Sequence, residues 1–481
     1  MMHLDETIQS VEQGLRTGPA FLTEAPETPS SLNERMIHYN VPGMSIAVIN
    51  NGVIEWAKGY GLTDAAHRKP VTTETLFAAA SISKPVTALA ILRLVEQGLL
   101  DLETDINQYL KQWKVLENEL TQSSQVTLRH ILSHMSGLDA GNYSGYGPDE
   151  PAPTLIQLLN GEAPSNSGPV QVITEPGTRE AYSGPGYWVL QQLIIDLTGE
   201  SFADAMRRLV LEPSGMTQST FDKPRQIASG HDDKGSVLFN DWARHPGLAD
   251  GGLWTTPTDL ACFALAIINA ANGIKNDLLS QPLAQMMLAR QGGCHGLGLF
   301  LIGKEENLLF RHGGEGAGFL CQMDAFPALG QGAVIMTNGV NGWSLKQEVL
   351  HSLAVTYDWP QLQPIGKTRV SVDPTKLAPF AGMYKVTADP LLLDRYIEYS
   401  GQWQIREGRE PLYTVQVVND YLSVRDPGEY DLTFYPESND IFFTLDDRTT
   451  LLFHTGADGM VDTLDIILDD ELSVPAQRTS E

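Results

Sequence analysis

A serine and a lysine stand three positions apart in Ser81-Ile82-Ser83-Lys84, the one place in the chain with this spacing. Residues three apart share a face of a helix, so the Lys84 amine could reach the Ser81 hydroxyl. Burial lowers the pKa of a lysine, and its amine can then act as the base that activates a serine nucleophile. Chance alone gives about 0.8 such matches at this serine and lysine content. The pair by itself therefore more often marks a helix N-cap serine beside a solvated lysine.

The surrounding sequence places the pair where such chemistry could work. The short run 76–80 leads into residues 84–100, whose apolar spacing predicts a buried helix. Ser81 would then lie at the N-terminus of that helix, where its backbone N–H is suited to bind an oxyanion.

Two further segments of the chain add to the evidence from the serine and lysine pair. Residues 176–187 precede a predicted helix, and residues 310–316 lie between two predicted strands. Together with Ser81 and Lys84, they resemble the serine hydrolase family that includes class C β-lactamases, penicillin-binding carboxypeptidases, D-aminopeptidases and related esterases. The resemblance covers about residues 35 to 345, in the family's order. Other stretches that match the family read LRHILSHMSG, GGLWTTPTDL and GAVIMTNG.

The resemblance implies roles for three side chains. Ser81 is similar to the acylated nucleophile of the family, and Lys84 to its proton acceptor. Tyr182 resembles the first residue of the family's Tyr-x-Asn motif, which moves protons to the leaving group and from the water that attacks the acyl-enzyme. A core tyrosine is the alternative for Tyr182.

The strand that holds His312, Gly313 and Gly314 occupies the place of the family's Lys-Thr-Gly strand. By this resemblance the backbone N–H of Glu315 is the second oxyanion donor, and the two glycines let substrate approach the strand edge. A histidine has a reference pKa of about 6.5, so His312 is expected to change charge near neutral pH and to favour carboxylate substrates in acid. The alternative is a hydrogen bond to the Ser81 or Tyr182 network.

Two departures from the family shift the expected substrate. Position 184 is Gly where the β-lactamases have Asn, and His312-Gly313 replace a lysine and a hydroxyl residue. These changes fit the esterase and peptidase branches better than β-lactam hydrolysis. The expected enzyme is a serine hydrolase that acts through a Ser81 acyl-enzyme on esters or small peptides and amides, including D-amino-acid substrates. A β-lactamase or D-Ala-D-Ala carboxypeptidase is the first alternative, and a catalytically silent ligand-binding module the second.

The order of predicted elements indicates two domains. Residues 1–362 are expected to form a β-lactamase-like and penicillin-binding-protein-like α/β sandwich, with a mainly antiparallel sheet flanked by helices and an all-α part. Residues 368–481 are expected to form an all-β barrel that resembles the lipocalin-like domain of some family members. Helices are predicted at 128–134, 187–198, 202–211, 257–271, 280–291 and 343–355, and strands at 45–49, 53–60, 297–301, 308–312, 318–326, 332–337, 396–405, 413–418, 421–424, 430–435, 441–445, 451–454 and 460–467.

Composition limits the partners. The chain has 481 residues and a formal net charge of −27, which disfavours nucleic acid and anionic membrane surfaces. No basic and apolar leader is visible at the N-terminus, so a cytoplasmic location is expected, or a periplasmic one if a signal was removed. A small-molecule ester or peptide is the expected partner, and a homo-oligomer is left open.

No cofactor or metal is expected. The three cysteines, Cys262, Cys294 and Cys321, form no C-x-x-C pair and no disulfide framework. His130 and His134 stand four apart as in a zinc motif, but no glutamate follows His130.

Overall fold

The structure is a computed structural model that divides the chain into two compact units. One unit comprises Met1–Leu32 and Gln347–Glu481, and the other Asn33–Lys346. The boundary predicted at residues 362–368 remains a prediction. The residues described are 3–479 apart from 26–27, 65–67, 142–144, 148, 223, 225–226, 239–245, 401, 403–404, 406–407, 457–459 and 470–471.

The helices and strands follow each other along the chain in mixed order. The helices are α1 Leu4–Gln13, α2 Leu32–His38, α3 Ser83–Glu96, α4 Leu128–Leu132, α5 Leu155–Asn160, α6 Gly184–Thr198, α7 Phe202–Met206, α8 Leu248–Gly251, α9 Pro257–Ala271, α10 Gln281–Met287, α11 Gly342–Thr356 and α12 Pro390–Ser400. The strands are β1 Ala20–Leu22, β2 Gly43–Asn50, β3 Val53–Asp64, β4 Lys69–Pro70, β5 Phe77–Ala78, β6 Leu138–Asp139, β7 Gln171–Val172, β8 Trp254–Thr255, β9 Phe300–Ile302, β10 Leu309–Gly316, β11 Phe319–Phe326, β12 Gln331–Thr337, β13 Ile365–Lys367, β14 Gly382–Val386, β15 Leu412–Val418, β16 Tyr421–Arg425, β17 Asp431–Pro436, β18 Ile441–Thr444, β19 Thr450–Thr455, β20 Val461–Asp469 and β21 Leu472–Arg478.

A seven-stranded sheet forms the centre of the Asn33–Lys346 unit, in the order β4-β3-β2-β12-β11-β10-β9. Its neighbouring strands pair antiparallel. The predicted hairpin is confirmed: Asn50 pairs with Val53, and Asn51 and Gly52 turn the chain with φ of 52° and 73°. Distant segments thus meet in one sheet, because β2 from the start of the unit pairs with β12 from its end.

Helix α3 is buried almost throughout, as its apolar spacing predicts. It contacts α6 and α8, while α9 packs on β2, β12, β3 and β11. Most of the other helix predictions in this unit are also confirmed, and α9 spans the predicted range exactly. Three of these are too long: α4 ends at Leu132, α10 ends at Met287, and the 202–211 helix continues beyond Met206 as a π-helical turn, Arg207–Leu211. Helix α3 likewise ends at Glu96, before the predicted residue 100.

A closed barrel of the eight strands β14 to β21 lies in the other unit and confirms the predicted C-terminal barrel. Two of its strands were absent from the prediction, β14 and β21, and β14 closes the barrel by pairing with both β15 and β21. The pattern in β21 is weak because Pro475 interrupts it, and proline usually argues against a central strand.

The strand predicted at 396–405 is wrong over residues 396–400, and residues 401 and 403–404 of that prediction lie outside the described residues. Residues 390–400 form helix α12, which buries Tyr396 and Ile397 against the barrel core. Leu392, Leu393, Tyr396 and Ile397 recur at the spacing of a helix, and this longer period outweighs the short alternation from which the strand was predicted.

Across the described part of the chain, no helix combines the length and apolarity needed to cross a membrane.

Candidate functional site

The Lys84 amine contacts the Ser81 hydroxyl, as their spacing predicts. Nζ of Lys84 donates to Oγ of Ser81 at 3.1 Å and to the backbone oxygen of Asp250 at 2.9 Å. Lys84 is 2% exposed, whereas Ser81 is half-buried. The alternative of a solvated lysine is therefore wrong, and an amine with two acceptors stands beside a serine that solvent can reach.

Ser81 lies in a short 3-10 turn, Ala80–Ile82, that leads directly into α3. Ala80 has a φ of +45°, a conformation that non-glycine residues rarely adopt, so the backbone is strained immediately before the candidate nucleophile. The hydroxyl of Ser83 stabilises this turn because it donates to the oxygen of Ala80 at 2.6 Å and accepts from the nitrogen of Leu253 at 3.0 Å.

Tyr182 lies at the start of α6, one residue before the Ser183 N-cap. Its ring stacks on His134 with the centroids 4.4 Å apart, and Lys84 Nζ lies 4.9 Å from the ring centroid. The structure thus brings Tyr182 to the Ser81–Lys84 pair. His134 is held in turn by the backbone nitrogen of Ser183, which donates to its Nδ1 at 3.0 Å.

Strand β10 borders the Ser81 turn with alternate residues. A Cβ on Gly314 would lie 2.1 Å from the backbone oxygen of Ala79, so only glycine permits this close approach. His312 lies on the same face as Gly314, and its ring is 6.3 Å from the Tyr182 ring. Strand β9 pairs with Leu309–Arg311 only, and no other described strand covers the edge of β10 beyond it.

The expected charge change of His312 near neutral pH is not borne out. Burial lowers the pKa of His312 to about 3, and the positive charge of Lys84 adds to this effect. Nδ1 of the neutral ring donates to the oxygen of Gly313 at 2.6 Å, which leaves Nε2 as an acceptor. A neutral ring with an acceptor at Nε2 does not favour a substrate carboxylate, so the expectation of a charged His312 becomes a question for the pH experiment described in the Discussion.

The opposite face of β10 carries Gly313 and Glu315. A Cβ on Gly313 would lie 3.9 Å from Nζ of Lys346, a lysine that donates to the amide oxygen of Gln322 at 3.1 Å. Burial lowers the pKa of Lys346 to about 8. The exposed Glu315 therefore faces away from Ser81, and any contribution to the site has to come from its backbone, as the resemblance implies.

A second buried group lies beside Tyr182. Oε1 of Glu180 accepts from Nδ1 of His295 at 2.5 Å and from Sγ of Cys294 at 3.1 Å. Burial alone would lower the pKa of His295, but the charges of Cys294 and Glu180 raise it well above its usual range. The pKa of Glu180 is lowered against the effect of burial by the charge of His295.

These three side chains are the donor set that could hold a metal, with ligand atoms within 4.8 Å of one another. Ligand atoms on a tetrahedral zinc lie about 3.3 Å apart, from bond lengths near 2.0 Å. The 2.5 Å between Glu180 and His295 is too short for two ligands of one zinc and indicates direct hydrogen bonding between the two side chains. In this geometry the group is an ion pair.

Several of these residues carry no sequence signal for their position. His134 was weighed only as half of a His130–His134 metal pair, but α4 ends at Leu132 and His134 adopts a φ of +58°, so the two rings do not share a helix face. The sequence around His295 is glycine-rich and matches no motif. Only the three-dimensional fold brings His134 and His295 together, with centroids 4.7 Å apart.

Comparisons with known proteins identify the family and the fold. A sequence profile of the Beta-lactamase family matches residues 29–354. The chain is 26% identical over 378 residues to penicillin-binding protein 4 of Amycolatopsis lactamdurans, which covers 72% of this chain and 94% of that protein. The chain belongs to the beta-lactamase family, and it is a serine hydrolase.

Solved structures show the same fold at lower identity. The octameric penicillin-binding protein homologue from Pyrococcus abyssi is 22% identical with a TM-score of 0.59, over 93% of this chain and 98% of that one. The D-amino acid amidase from Ochrobactrum anthropi SV3 is 21% identical with a TM-score of 0.56, over 74% of this chain and 99% of that one.

Proposed function

We propose that the protein hydrolyses esters or small peptides and amides, including D-amino-acid substrates, through an acyl-enzyme on Ser81. The observation that carries this proposal is the 3.1 Å hydrogen bond from the buried Lys84 amine to the Ser81 hydroxyl. A serine needs such a base because its hydroxyl is a weak nucleophile at neutral pH.

In the acylation step, Lys84 in its neutral form accepts the Ser81 proton as Oγ bonds to the substrate carbonyl carbon. The carbonyl oxygen becomes an oxyanion, and the backbone nitrogens of Ser81 and Glu315 are its proposed donors. Gly314 supports this arrangement because its lack of a side chain lets β10 lie against Ala79, two residues before Ser81.

Tyr182 is the proposed group that carries protons to the leaving group and from the attacking water. Its ring centroid lies 4.9 Å from Lys84 Nζ, so the tyrosine is a close neighbour of the proposed base. His312 contributes a neutral ring with a free acceptor, and His312 Nε2 has no hydrogen-bond partner among the described residues.

Ester and amide substrates are favoured over β-lactams for two reasons. Gly184 offers no side-chain amide to hold a substrate, and the neutral His312 supplies no cation for the carboxylate that β-lactams carry. The D-amino acid amidase among the structural neighbours adds support for D-configured substrates.

The test is covalent labelling followed by a substrate panel. A fluorophosphonate should label wild-type protein at Ser81, as located by peptide mass spectrometry, and Ser81→Ala should abolish labelling and lower kcat by about 10⁴- to 10⁶-fold. Ser214→Ala is the matched variant, because Ser214 is half-buried like Ser81 and its hydroxyl donates to the backbone oxygens of Val210 and Leu211. A wild-type protein that is folded but unlabelled would favour the silent binding module.

The β-lactamase or D-Ala-D-Ala carboxypeptidase reading is the second candidate, supported by the penicillin-binding protein 4 relative. Kinetics with p-nitrophenyl esters, D-amino-acid anilides and nitrocefin separate the two. We expect kcat/KM for nitrocefin to fall well below that for a short-chain ester, and an equal or higher value would support the second candidate.

A homo-oligomer is also proposed, on the precedent of the octameric homologue from Pyrococcus abyssi. Light scattering coupled to size-exclusion chromatography measures it, and the mass of a single 52.7 kDa chain would contradict the proposal.

A further inference from the structure

A buried carboxylate lies next to the proposed base. Oδ2 of Asp250 is 4.0 Å from Nζ of Lys84, and the two side chains are 12% and 3% exposed. Burying a carboxylate is costly unless opposite charges and hydrogen bonds compensate for the lost water. We therefore expect nearby groups of the site to compensate for the burial of the Asp250 carboxylate.

The carboxylate is held in a fixed orientation. The indole Nε1 of Trp188, on α6, donates to Oδ1 of Asp250 at 2.8 Å. Gly247 and Gly184 leave room for this arrangement: a Cβ on Gly247 would lie 2.2 Å from Nε1 of Trp188, and a Cβ on Gly184 would lie 2.9 Å from Oδ2 of Asp250. Any side chain at either position would displace the contact.

The backbone around Asp250 is also attached to the first turns of α3. The hydroxyl of Thr87 donates to the oxygen of Ala249 at 3.0 Å, and Lys84 donates to the backbone oxygen of Asp250. On the other side, the nitrogen of Ala249 donates to the amide oxygen of Gln191, on α6. The Asp250 segment is thus held between the helix that carries Lys84 and the helix that begins after Tyr182.

We propose that Asp250 is a positioning residue for Lys84, whose carboxylate holds the amine towards Ser81 and stabilises the positive charge that the amine gains in acylation. The proposal rests on the proposed function. The proton leaves Ser81 Oγ and binds Lys84 Nζ as Oγ bonds to the acyl carbon, and the carbonyl π electrons move to the oxygen that becomes the oxyanion. A carboxylate 4.0 Å from the new ammonium lowers the energy of that state.

The other groups around Lys84 do not supply this negative charge. Among the described residues, the other groups that face its amine are the hydroxyl of Ser81, the rings of Tyr182 and Tyr187, and the imidazoles of His134 and His312. The tyrosine faces favour a cation weakly, and the imidazoles carry no negative charge. Asp250 is the anion of this set.

The test compares Asp250→Asn with wild type by the rate of fluorophosphonate labelling at Ser81 across pH 5 to 10. The asparagine keeps an acceptor for Trp188 and the backbone oxygen that Lys84 contacts, so the variant removes the negative charge with little change in side-chain shape. We expect the alkaline plateau to fall about 10- to 100-fold and the acidic limb to move to lower pH, because the amine becomes a weaker base.

Asp259→Asn is the matched control. Asp259 is 4% exposed and follows the same segment, but its Oδ2 accepts from the nitrogen of Gln218 and the hydroxyl of Ser219 instead. Its labelling rate should stay within about 2-fold of wild type, since no charge near Lys84 changes.

A second variant covers the case in which Asp250→Asn does not fold. Gly184→Ala would push the carboxylate away from Lys84 and should reproduce the loss and the shifted limb. Unchanged profiles, or a uniform loss without a shifted limb, would overturn the role of Asp250 while leaving the proposed function intact. Failure of wild type to be labelled would instead overturn the proposed function.

Discussion

Lys84 and His295 both lie near the Tyr182 ring, at 4.9 and 6.4 Å, but their carboxylate partners hold them differently. Glu180 Oε1 is 2.5 Å from Nδ1 of His295, with the thiol of Cys294 as a second donor. Asp250 Oδ2 stays 4.0 Å from Nζ of Lys84, whose other contacts are Ser81 and a backbone oxygen. Glu180 and His295 therefore hydrogen-bond directly to each other, whereas the Lys84 amine donates to the Ser81 hydroxyl rather than to the Asp250 carboxylate.

This difference separates groups that hold the site from groups that react in it. A short, fully buried ion pair fixes two side chains but has little freedom to exchange a proton with substrate, and removing one partner leaves an unpaired buried charge. An amine at 4.0 Å from its carboxylate is stabilised as a cation and keeps a hydrogen bond for the nucleophile. The Glu180–His295 pair should therefore matter for stability and the Asp250–Lys84 pair for turnover.

Of the two pairs compared here, the larger effect on turnover should come from Lys84→Met. Loss of the base should lower kcat/KM for an ester by about 10²- to 10⁴-fold. The free energy of unfolding should fall less than in the Glu180 variant below, because Asp250 is 12% exposed and keeps its hydrogen bond from Trp188 when the amine is lost. Ester kinetics and urea denaturation of the same preparation measure the two effects. A variant that unfolds at much lower urea would remove the contrast with the Glu180–His295 pair.

The reverse pattern is expected for Glu180→Gln. The pair is almost completely buried, so the unfolding free energy should fall by about 3 kcal/mol. The raised pKa of His295 means that its contribution is fully present below pH about 6.5 and is lost as pH rises through that raised value. The lowered pKa of Glu180 means that its contribution is present above pH about 4.5 and is lost as pH falls through the lowered value.

The stability gap between wild type and Glu180→Gln should therefore be widest between pH about 4.5 and 6.5 and narrow on both sides. Urea denaturation at a series of pH values measures it. Asp465→Asn is the control, because Asp465 forms a similar but exposed pair with His454 at 2.9 Å and should change stability little. A gap that is equally wide at every pH would contradict the ion pair.

The sequence predicted more of the Ser81–Lys84 pair than of the Glu180–Cys294–His295 group. The S-x-x-K spacing is local, so a helix period is enough to bring Lys84 to Ser81. Glu180 lies more than 100 positions before the neighbouring residues Cys294 and His295, and neither segment carries a helix or strand period. Asp250 directly precedes a stretch that resembles the family, but its place beside Lys84 depends on Trp188 from another helix.

The same reasoning applies to the fold. Long helices with a clear apolar period, such as α3 and α9, were predicted because the pattern depends on neighbouring residues alone. The φ of His134 and the interruption of β21 by Pro475 depend on tertiary contacts or contradict local preference. Helix α12 was missed for a different reason: its helical period is local, but it was taken for the alternation of a strand.

Tyr182 and Tyr187 both lie near Lys84, and comparing them tests which tyrosine takes part in proton transfer. Tyr182 is half-buried at 4.9 Å, whereas Tyr187 is fully buried at 5.9 Å and its hydroxyl has no hydrogen-bond partner among the described residues. Tyr182→Phe should lower kcat by about 10²-fold, the scale of one proton-transfer group. Tyr187→Phe should leave kcat within about 2-fold and leave stability unchanged or higher, because it removes an unsatisfied buried hydroxyl. Equal losses of kcat in the two variants would mean that the Tyr182 hydroxyl has no proton-transfer role and that both rings contribute by packing.

The smallest expected effect concerns His312, a third buried imidazole near Tyr182. Its pKa of about 3 keeps the ring neutral from pH 6 to 8, and its donor nitrogen is already bound to the oxygen of Gly313. The ratio of kcat/KM for a carboxylate-bearing ester to that for an uncharged ester should therefore stay constant across this range. A ratio cancels titrations that both substrates share, so it reports His312 alone. His312→Gln should leave the ratio equally flat while lowering both rates together, if the free acceptor serves Tyr182 or substrate. A ratio that rises in acid in wild type and flattens in the variant would show a charged His312, and would place it with the groups that change protonation in the site.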